Sequence, residues 1–353
     1  MKIPLHVKIR KKTRALLYTF LGFLAQKKET QHFIDKKEIK TILIIRPNYR
    51  IGNLIFLTPL INELAKEIPE AKIDIIVGMK LAGDILQPMP NVSNVFAIPR
   101  ELLYKPFKLF AFIKQIRSKK YDLALNITAG SFSSELVTLL VASKYKASFE
   151  NEKTFIPLTH TIKYQNLYIH SGSRPLELLK LFTNNLPKQE VMLDIKLTPK
   201  EQQLGQQELL KQTEKKGKTI ALFRNARFDK KIEDKWWLEW YEALITIDSS
   251  LIVIDILSPD IPKKLHQDML EYQNKNLRLL GAFFRACDLY VSADTGPLHL
   301  ALASQANTLA LFNKTSIQIY GTLGGNNKTI DINNLSPQEV ANITYAQLQK
   351  VNQ

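Results

Sequence analysis

Short β-branched and apolar runs alternate with segments of helical periodicity over the first half of the chain. The pattern predicts strands at 41–46, 72–77, 94–98 and 121–127. It also predicts helices between and after them, at 58–68, 81–86, 107–117 and 133–141. Strands that alternate with helices in this way favour a parallel sheet covered by helices on both faces. The fold class expected for this half is therefore α/β.

A second strand–helix series begins near residue 219. Its predicted strands lie at 219–223, 251–257, 288–293 and 308–312. A polar, helical stretch between 175 and 217 separates the two series and is interpreted as the interdomain region. With 353 residues, two domains are also the natural expectation from chain length. The predicted units are an N-terminal segment, two domains and a terminal helix, at 1–39, 40–195, 196–335 and 336–353.

The most informative local pattern is a strand that breaks into a small polar turn and restarts as a helix, at Asp294-Thr295-Gly296-Pro297. Asp294 is expected to cap the helix, and Pro297 suits its first turn. Gly296 lets a ligand approach the backbone closely. The free N–H groups at such a helix start favour a phosphate or diphosphate. A capped turn that binds no ligand is the alternative.

A second motif follows the first predicted strand, where RIGN at 50–53 leads into a helix with Thr-Pro near its start. Together, and in this order, RIGN and the SADTGPLHLALA segment at 292–303 resemble glycosyltransferase family 9 over residues 40–335. That family contains the heptosyltransferases that build the lipopolysaccharide core. The resemblance implies two Rossmann-like, doubly wound domains facing a cleft, the architecture called GT-B. It also implies that the terminal helix at 336–353 packs back on the first domain.

The resemblance assigns a donor site to the second domain. Lys235 and Trp237 match the lysine and tryptophan of the family's Lys-x-Trp-Pro pattern, with Leu238 in place of the proline. The family's lysine contacts the donor phosphates, so Lys235 inherits that role by resemblance. His299 is expected to line the same site, beside the turn at 294–297.

Two arginines just past the strand 219–223, Arg224 and Arg227, are candidates for forked hydrogen bonds to phosphate oxygens. The alternative for this loop is a solvated basic segment above a packed tryptophan. The chain has no Asp-x-Asp pair, no P-loop, no dinucleotide-binding glycine pattern and no metal-ligand spacing of histidines. No metal and no cofactor are therefore expected, and cationic groups and a helix start would neutralise the leaving diphosphate.

By the same resemblance, Arg50, Gly52 and Asn53 are expected to face the acceptor, and Asn53 stands where the family usually has an aspartate. That aspartate is taken as the base that deprotonates the acceptor hydroxyl in inverting transfer. An asparagine amide does not accept this proton. Three interpretations stay open. Another carboxylate is the base, with Asp294 and Glu135 as candidates, or leaving-group stabilisation dominates, or the protein is a weakened paralogue.

Basic charge is concentrated at the N-terminus. Residues 1–40 hold eleven Lys/Arg and three Asp/Glu, which is half of the net charge of +16. The basic run at 8–14 precedes a mostly apolar stretch at 15–25 that is too short to cross a bilayer as a helix. The N-terminal segment is therefore predicted to lie on an anionic membrane surface as a basic amphipathic helix. A signal peptide and a helix packed on the protein body are the alternatives.

The rest of the composition is that of an ordinary globular protein, and Cys287 lies in an apolar run that indicates a buried thiol. A nucleic-acid binder is disfavoured because no recognition helix or aromatic-basic binding motif is evident.

The resemblance implies an inverting glycosyltransferase of lipopolysaccharide core synthesis, cytoplasmic and peripheral on the inner face of the bacterial inner membrane. Its implied partners are a nucleotide sugar, by default ADP-heptose, and a phosphorylated glycolipid acceptor. A hexosyl- or N-acetylhexosaminyltransferase with another nucleotide sugar, and a catalytically weakened scaffold, are the alternatives.

Overall fold

The computed structural model describes residues 33–99, 106–188, 191–213 and 217–350. The segment at 1–28, predicted to lie on a membrane surface, falls outside the described residues, so that prediction stays open. Within the described ranges, no helix is both long enough and apolar enough to cross a bilayer.

Parallel strands of the first half form one six-stranded sheet. They are β1 (Thr41–Arg46), β2 (Lys72–Val77), β3 (Val92–Ala97), β4 (Tyr121–Asn126), β5 (Ser143–Phe149) and β6 (His160–Ile162). Their order is β3-β2-β1-β4-β5-β6. The inner strands are nearly continuous buried runs, as expected for strands covered on both faces. The four predicted strands of this half are confirmed within one or two residues.

Helices of the described first half lie between these strands. They are α1 (Ile51–Ile55), α2 (Thr58–Glu67), α3 (Ala82–Leu86), α4 (Pro106–Ser118) and α5 (Phe132–Leu140). The sequence did not predict α1, a single short turn that directly follows the β1 loop. As a result, Gly52 and Asn53 lie on a helix and not in a loop.

The second half repeats the arrangement. Its strands are β7 (Thr219–Phe223), β8 (Ile252–Ile256), β9 (Leu270–Tyr272), β10 (Leu289–Ala293), β11 (Thr308–Phe312) and β12 (Lys328–Asp331). Its helices are α6 (Pro199–Thr213), α7 (Asp234–Ile247), α8 (Leu277–Ala286), α9 (Gly296–Ala303), α10 (Ile317–Tyr320) and α11 (Pro337–Lys350). The sheet order is β12-β11-β10-β7-β8-β9.

The two sheets share one topology, because in both the first strand lies between the second and the fourth. The first strands also begin alike. The backbone N–H and hydroxyl of Thr41 donate to Asp122, and those of Thr219 donate to Asp288 in the same way, at 2.7–2.9 Å. This strand order is that of Rossmann-like folds, in which ligands bind at the carboxyl ends of the strands.

The sequence missed the edge strands β6, β9 and β12 and also β5, the neighbour of β6. β5 has Lys144 and Lys146 between its apolar residues, reads SKYKASF and is only partly buried. Because a strand at or near the edge of a sheet is less completely buried, its composition is more polar and its pattern is weak.

The terminal helix α11 packs on the second half, against α7. The indole N–H of Trp240 donates to the hydroxyl of Thr344 at 3.2 Å, and Val340 and Leu348 are fully buried in the same core. The prediction that this helix packs on the first domain is therefore wrong. The apolar side of α11 packs against the side of α7 that carries Trp240, and both helices belong to the second half.

Candidate active site

The two sequence motifs meet between the sheets, where α1 of the first half packs directly against α9 of the second. A Cβ atom placed on Gly52 would lie 2.7 Å from Cδ2 of His299, and one placed on Gly296 would collide with Cγ2 of Ile51. Both positions therefore need glycine for close approach. The space expected for a ligand at Gly296 is occupied by Ile51. We call this contact the α1–α9 junction.

Thr295 caps α9. Its backbone is extended, and its hydroxyl accepts a hydrogen bond from the N–H of Leu298 at 3.3 Å. Pro297 lies in the first turn, as predicted. The prediction that Asp294 is the cap is wrong by one residue, because its carboxylate turns away from the helix toward other partners.

Asp294 is the centre of a polar cluster. Its Oδ2 accepts from Lys230 Nζ at 2.5 Å and from Thr315 Oγ1 at 2.8 Å, while Oδ1 lies 3.6 Å from His299 Nε2. Burial alone would raise the pKa of Asp294, but its contacts with His299, Lys230 and Thr315 outweigh burial and hold the pKa at about 2. Such a carboxylate is a poor proton acceptor, so the pKa does not support a role of Asp294 as the base, and that role stays a prediction.

His299 is buried and packs edge-on against Phe56, with ring centroids 4.5 Å apart. Its Nδ1 has no hydrogen-bond partner among the described residues. An unpaired buried nitrogen is uncommon in proteins. His299 is therefore not an ordinary satisfied core histidine, and its predicted place in the donor site stays a prediction.

Arg224 is buried and bound within its own half. Its Nε donates to Asp255 and its Nη1 to Asp234, both at 2.9 Å, and its Nη2 donates to the carbonyl of Lys263 at 2.6 Å. Arg224 therefore ties the end of β7 to β8, α7 and the loop after β8, which is a structural role. The predicted contact of Arg224 with the donor phosphates stays a prediction.

Arg227 and Lys235 are exposed. Arg227 makes no hydrogen bond or ion pair within the described part of the chain. The side chain of Lys235 is 84% exposed at the start of α7, 3.8 Å from Glu239. Trp237, two residues on, is fully buried, so the packed-tryptophan alternative is right for that residue. The predicted phosphate contacts of Arg227 and Lys235 stay predictions.

Lys230 and Thr315, both of which contact Asp294, were not predicted from the sequence to belong to the site. The basic loop 224–231 indicated that a cation would lie near the site. Spacing along the chain does not tell which cation of the loop reaches Asp294 at the end of β10.

Arg46, the last residue of β1, was also missed. Its Nε is buried without a partner, and no carboxylate of the described residues forms an ion pair with it. Burial lowers the pKa of Arg46 to about 10, while Tyr320 of the second half acts in the opposite direction. At neutral pH the guanidinium is still charged, so it is an unpaired cation at the carboxyl edge of the first sheet.

The RIGN motif at 50–53, predicted to face the acceptor, follows this arginine along the chain. Arg50 is exposed and begins α1, and Asn53 is half-buried on the same helix. Glu135 has a structural role. It is completely buried, and its carboxylate accepts hydrogen bonds from the N–H groups of Gly130 at 2.8 Å and Phe155 at 2.9 Å. These bonds fix two loops, so the prediction of Glu135 as the base is contradicted.

A family model for glycosyltransferase family 9 (heptosyltransferase) matches residues 109–250 and 273–347, well over half of the chain. The chain belongs to this family. Lipopolysaccharide heptosyltransferase 3 of Escherichia coli is 24% identical over 279 residues, which span 75% of this chain and 81% of the relative. The chain is thus a heptosyltransferase-like glycosyltransferase.

Solved structures of the family share the fold. A family 9 glycosyl transferase from Veillonella parvula superposes with a TM-score of 0.74 at 14% identity, covering 88% of this chain and 97% of that one. E. coli ADP-heptose lipopolysaccharide heptosyltransferase II gives a TM-score of 0.69 at 18% identity, with coverage of 89% and 100%. The predicted GT-B fold of two doubly wound sheets is confirmed.

The family 9 match begins after RIGN, so it does not cover the position of Asn53. Among the described residues, no group of three or more His, Cys, Asp or Glu is arranged to hold a metal ion. Metal independence stays a prediction for this family member.

Proposed function

We propose that this protein is an inverting glycosyltransferase of lipopolysaccharide core synthesis, with ADP-heptose as the default donor and a phosphorylated, membrane-held glycolipid as acceptor. The observation that carries the proposal is the α1–α9 junction, where the Asp294–His299–Lys230 cluster of the second sheet packs against the acceptor motif of the first. The name of the E. coli ADP-heptose enzyme supports the choice of donor. The site of action we propose is the inner face of the inner membrane.

In this proposal the donor diphosphate binds next to the turn at 294–297. The positive end of helix α9 favours an anion, and Lys230 adds a charge held in place by Asp294. Arg227 and Lys235 are exposed and therefore available to the phosphate oxygens. These cations stabilise the negative charge that develops on the leaving diphosphate.

On the acceptor side, Arg46 and Arg50 bind an anionic group of the glycolipid, and Asn53 orients the attacking hydroxyl. The hydroxyl oxygen forms a bond to the anomeric carbon as the bond from that carbon to the diphosphate breaks. The electron pair leaves with the nucleoside diphosphate, and the hydroxyl proton passes to water. Since Asp294 and Glu135 are engaged elsewhere, leaving-group stabilisation supplies most of the rate enhancement.

A panel of nucleotides tests the donor class by thermal shift. A nucleotide at a hundred times its dissociation constant should stabilise the protein by about 2.7 kcal/mol. We expect ADP and ADP-heptose to raise the melting temperature, and UDP and CMP to leave it unchanged. A response to UDP instead would favour a hexosyl- or N-acetylhexosaminyltransferase. No response to any nucleotide would overturn the transferase proposal and favour a scaffold.

Turnover of Asn53→Asp tests the acceptor side. If no base is present, restoring a carboxylate should raise turnover at least about tenfold, since a general base typically contributes a hundredfold or more. Asn53→Ala is the matched control and should lower turnover through lost orientation. Unchanged turnover in both variants would contradict the placement of the acceptor hydroxyl at Asn53.

A further inference from the structure

Helix α4 exposes two aromatic side chains to solvent. Phe107 is 89% exposed and Phe110 is 69% exposed. Lys114 and Arg117 continue the same stripe at helical spacing and are also exposed. Single exposed apolar residues are common, but two nearly bare phenylalanines on adjacent turns form a patch that needs a partner.

The opposite side of α4 is already buried. Phe112 and Ile116 pack on one face of the first sheet, with Phe112 edge-on to Phe96 at 6.4 Å. One side of α4 therefore already packs on the first sheet. The exposed phenylalanines lie on the other side of the helix, which does not face this core.

The charged residues of this helix all have one sign. Helix α4 contains Lys108, Lys114 and Arg117 and no Asp or Glu. A helix with aromatic residues on its outer stripe and only basic charges around them fits an anionic bilayer surface, where phenylalanine enters the acyl boundary and lysine and arginine bind headgroups. An acidic protein partner would match the charges but would leave the two bare aromatic rings unexplained.

The position of α4 connects this surface to the site. In a parallel sheet a connecting helix starts at the carboxyl edge of the strand before it, so the aromatic end of α4 lies at the edge that carries Arg46 and the acceptor motif. Tyr49 lies in the loop between Arg46 and α1. Its hydroxyl donates to the carbonyl of Ile98, which follows β3 and precedes α4 along the chain.

We propose that the outer stripe of α4, formed by Phe107, Phe110, Lys114 and Arg117, binds an anionic lipid bilayer and thereby holds the acceptor edge of the first sheet near the membrane. This surface is separate from the segment 1–28, and no step of sugar transfer is needed for it. Loss of membrane binding by this surface would leave nucleotide binding unchanged. The membrane proposal and the proposed transferase function are therefore tested independently.

A fluorescent label at position 110 tests the proposal in the full chain. Cys287 is buried, as predicted, so Phe110→Cys provides an accessible thiol for an environment-sensitive dye. Vesicles with about a third phosphatidylglycerol should shift the emission to the blue and raise it severalfold, whereas phosphatidylcholine vesicles should not. The matched control is Leu210→Cys, an exposed leucine on α6, whose dye should not respond.

Two results with the dye would overturn the proposal. One is a dye at 110 that is shielded before vesicles are added, which would show that another part of the chain or a second copy covers α4. The other is a protein that sediments with anionic vesicles while the dye at 110 stays in water, which would place the membrane contact elsewhere.

Cosedimentation of a second variant gives an independent readout. Phe107→Ser with Phe110→Ser should weaken binding to anionic vesicles at least about fivefold, because both inserted rings are removed. Leu204→Ser with Leu210→Ser should leave binding unchanged, and both variants should show the nucleotide response of the parent. Equal binding of the two double variants would overturn the proposal.

Discussion

Arg46 and Arg224 occupy equivalent positions in the two halves of the molecule. Each follows five residues that begin with a threonine in the first strand of its sheet, in TILIIR and TIALFR. Arg224 donates to two carboxylates and a carbonyl, whereas Arg46 has a buried Nε without a partner. The same fold position therefore gives a structural arginine in one sheet and an unpaired cation in the other.

The neighbouring strand decides between the two outcomes. In the second sheet Leu222 is paired with Asp255, and at the equivalent place in the first sheet Ile44 is paired with Ile75. Because the first sheet offers no carboxylate there, Arg46 keeps its charge available for an anionic ligand. The comparison teaches that the partners of a cation, more than its place in the fold, indicate whether it can bind substrate.

The largest effect is expected from removal of the structural arginine. Arg224→Met leaves Asp255 buried without its cation, and burial already raises the pKa of Asp255. We expect a loss of about 3–5 kcal/mol in the free energy of unfolding. Tryptophan fluorescence reports on this half, since all three tryptophans lie on α7. The control Arg227→Met, on an exposed residue, should change stability by less than about 0.5 kcal/mol.

Gly52→Ala tests the α1–α9 junction. The new methyl group would meet Cδ2 of His299 at 2.7 Å, so the His299 ring or helix α1 would have to shift, with a loss of about 1–3 kcal/mol and lower turnover. Gly83→Ala is the matched control, because a Cβ atom there meets nothing within 4 Å on α3. Equal stability of the two variants in thermal unfolding would contradict the close packing of the motifs.

Acid should weaken the Asp294 cluster. The pKa of Asp294 in the folded protein, about 2, lies below its ordinary value of 3.8, so its contribution is present above pH 4 and is lost as the pH falls toward 2. Asp294→Asn should therefore lower stability by about 2 kcal/mol at pH 7, and the difference from the parent should narrow as the pH falls from about 4 to about 2. Asp229→Asn, on an exposed neighbour of Lys230, should show no such difference. A gap that stays constant with pH would refute the ionised cluster.

Arg46→Gln sharpens the comparison at the acceptor side. Loss of an unpaired charge should leave the free energy of unfolding nearly unchanged. It should weaken binding of the acceptor and raise its KM about tenfold, equal to about 1.4 kcal/mol. The affinity for nucleotide should not change. If stability falls as far as in Arg224→Met, then Arg46 is structural and the comparison fails.

Much of the fold follows from local pattern. The central strands of both sheets are continuous apolar runs, and the turn at 294–297 was found because proline and small polar residues mark a helix start. Strand β5, next to the edge strand β6, was missed because its lysines interrupt the apolar pattern. The roles of the cations were not predictable locally: Arg224 bonds Asp255, 31 residues away, and Lys230 bonds Asp294, 64 residues away. Such partners are known only once the strands have been placed side by side.

We propose above all that the Asp294 cluster binds the donor diphosphate through Lys230. Calorimetry should compare Lys230→Met with Lys231→Met, using the nucleoside diphosphate that stabilises the parent most. Lys231 is the adjacent exposed lysine and makes no contact with Asp294 in the described structure. We predict that Lys230→Met weakens nucleotide binding at least about tenfold, because a charge-assisted contact is removed, while Lys231→Met changes it less than about twofold. A folded Lys230→Met variant that binds the nucleotide as tightly as the parent would contradict the claim.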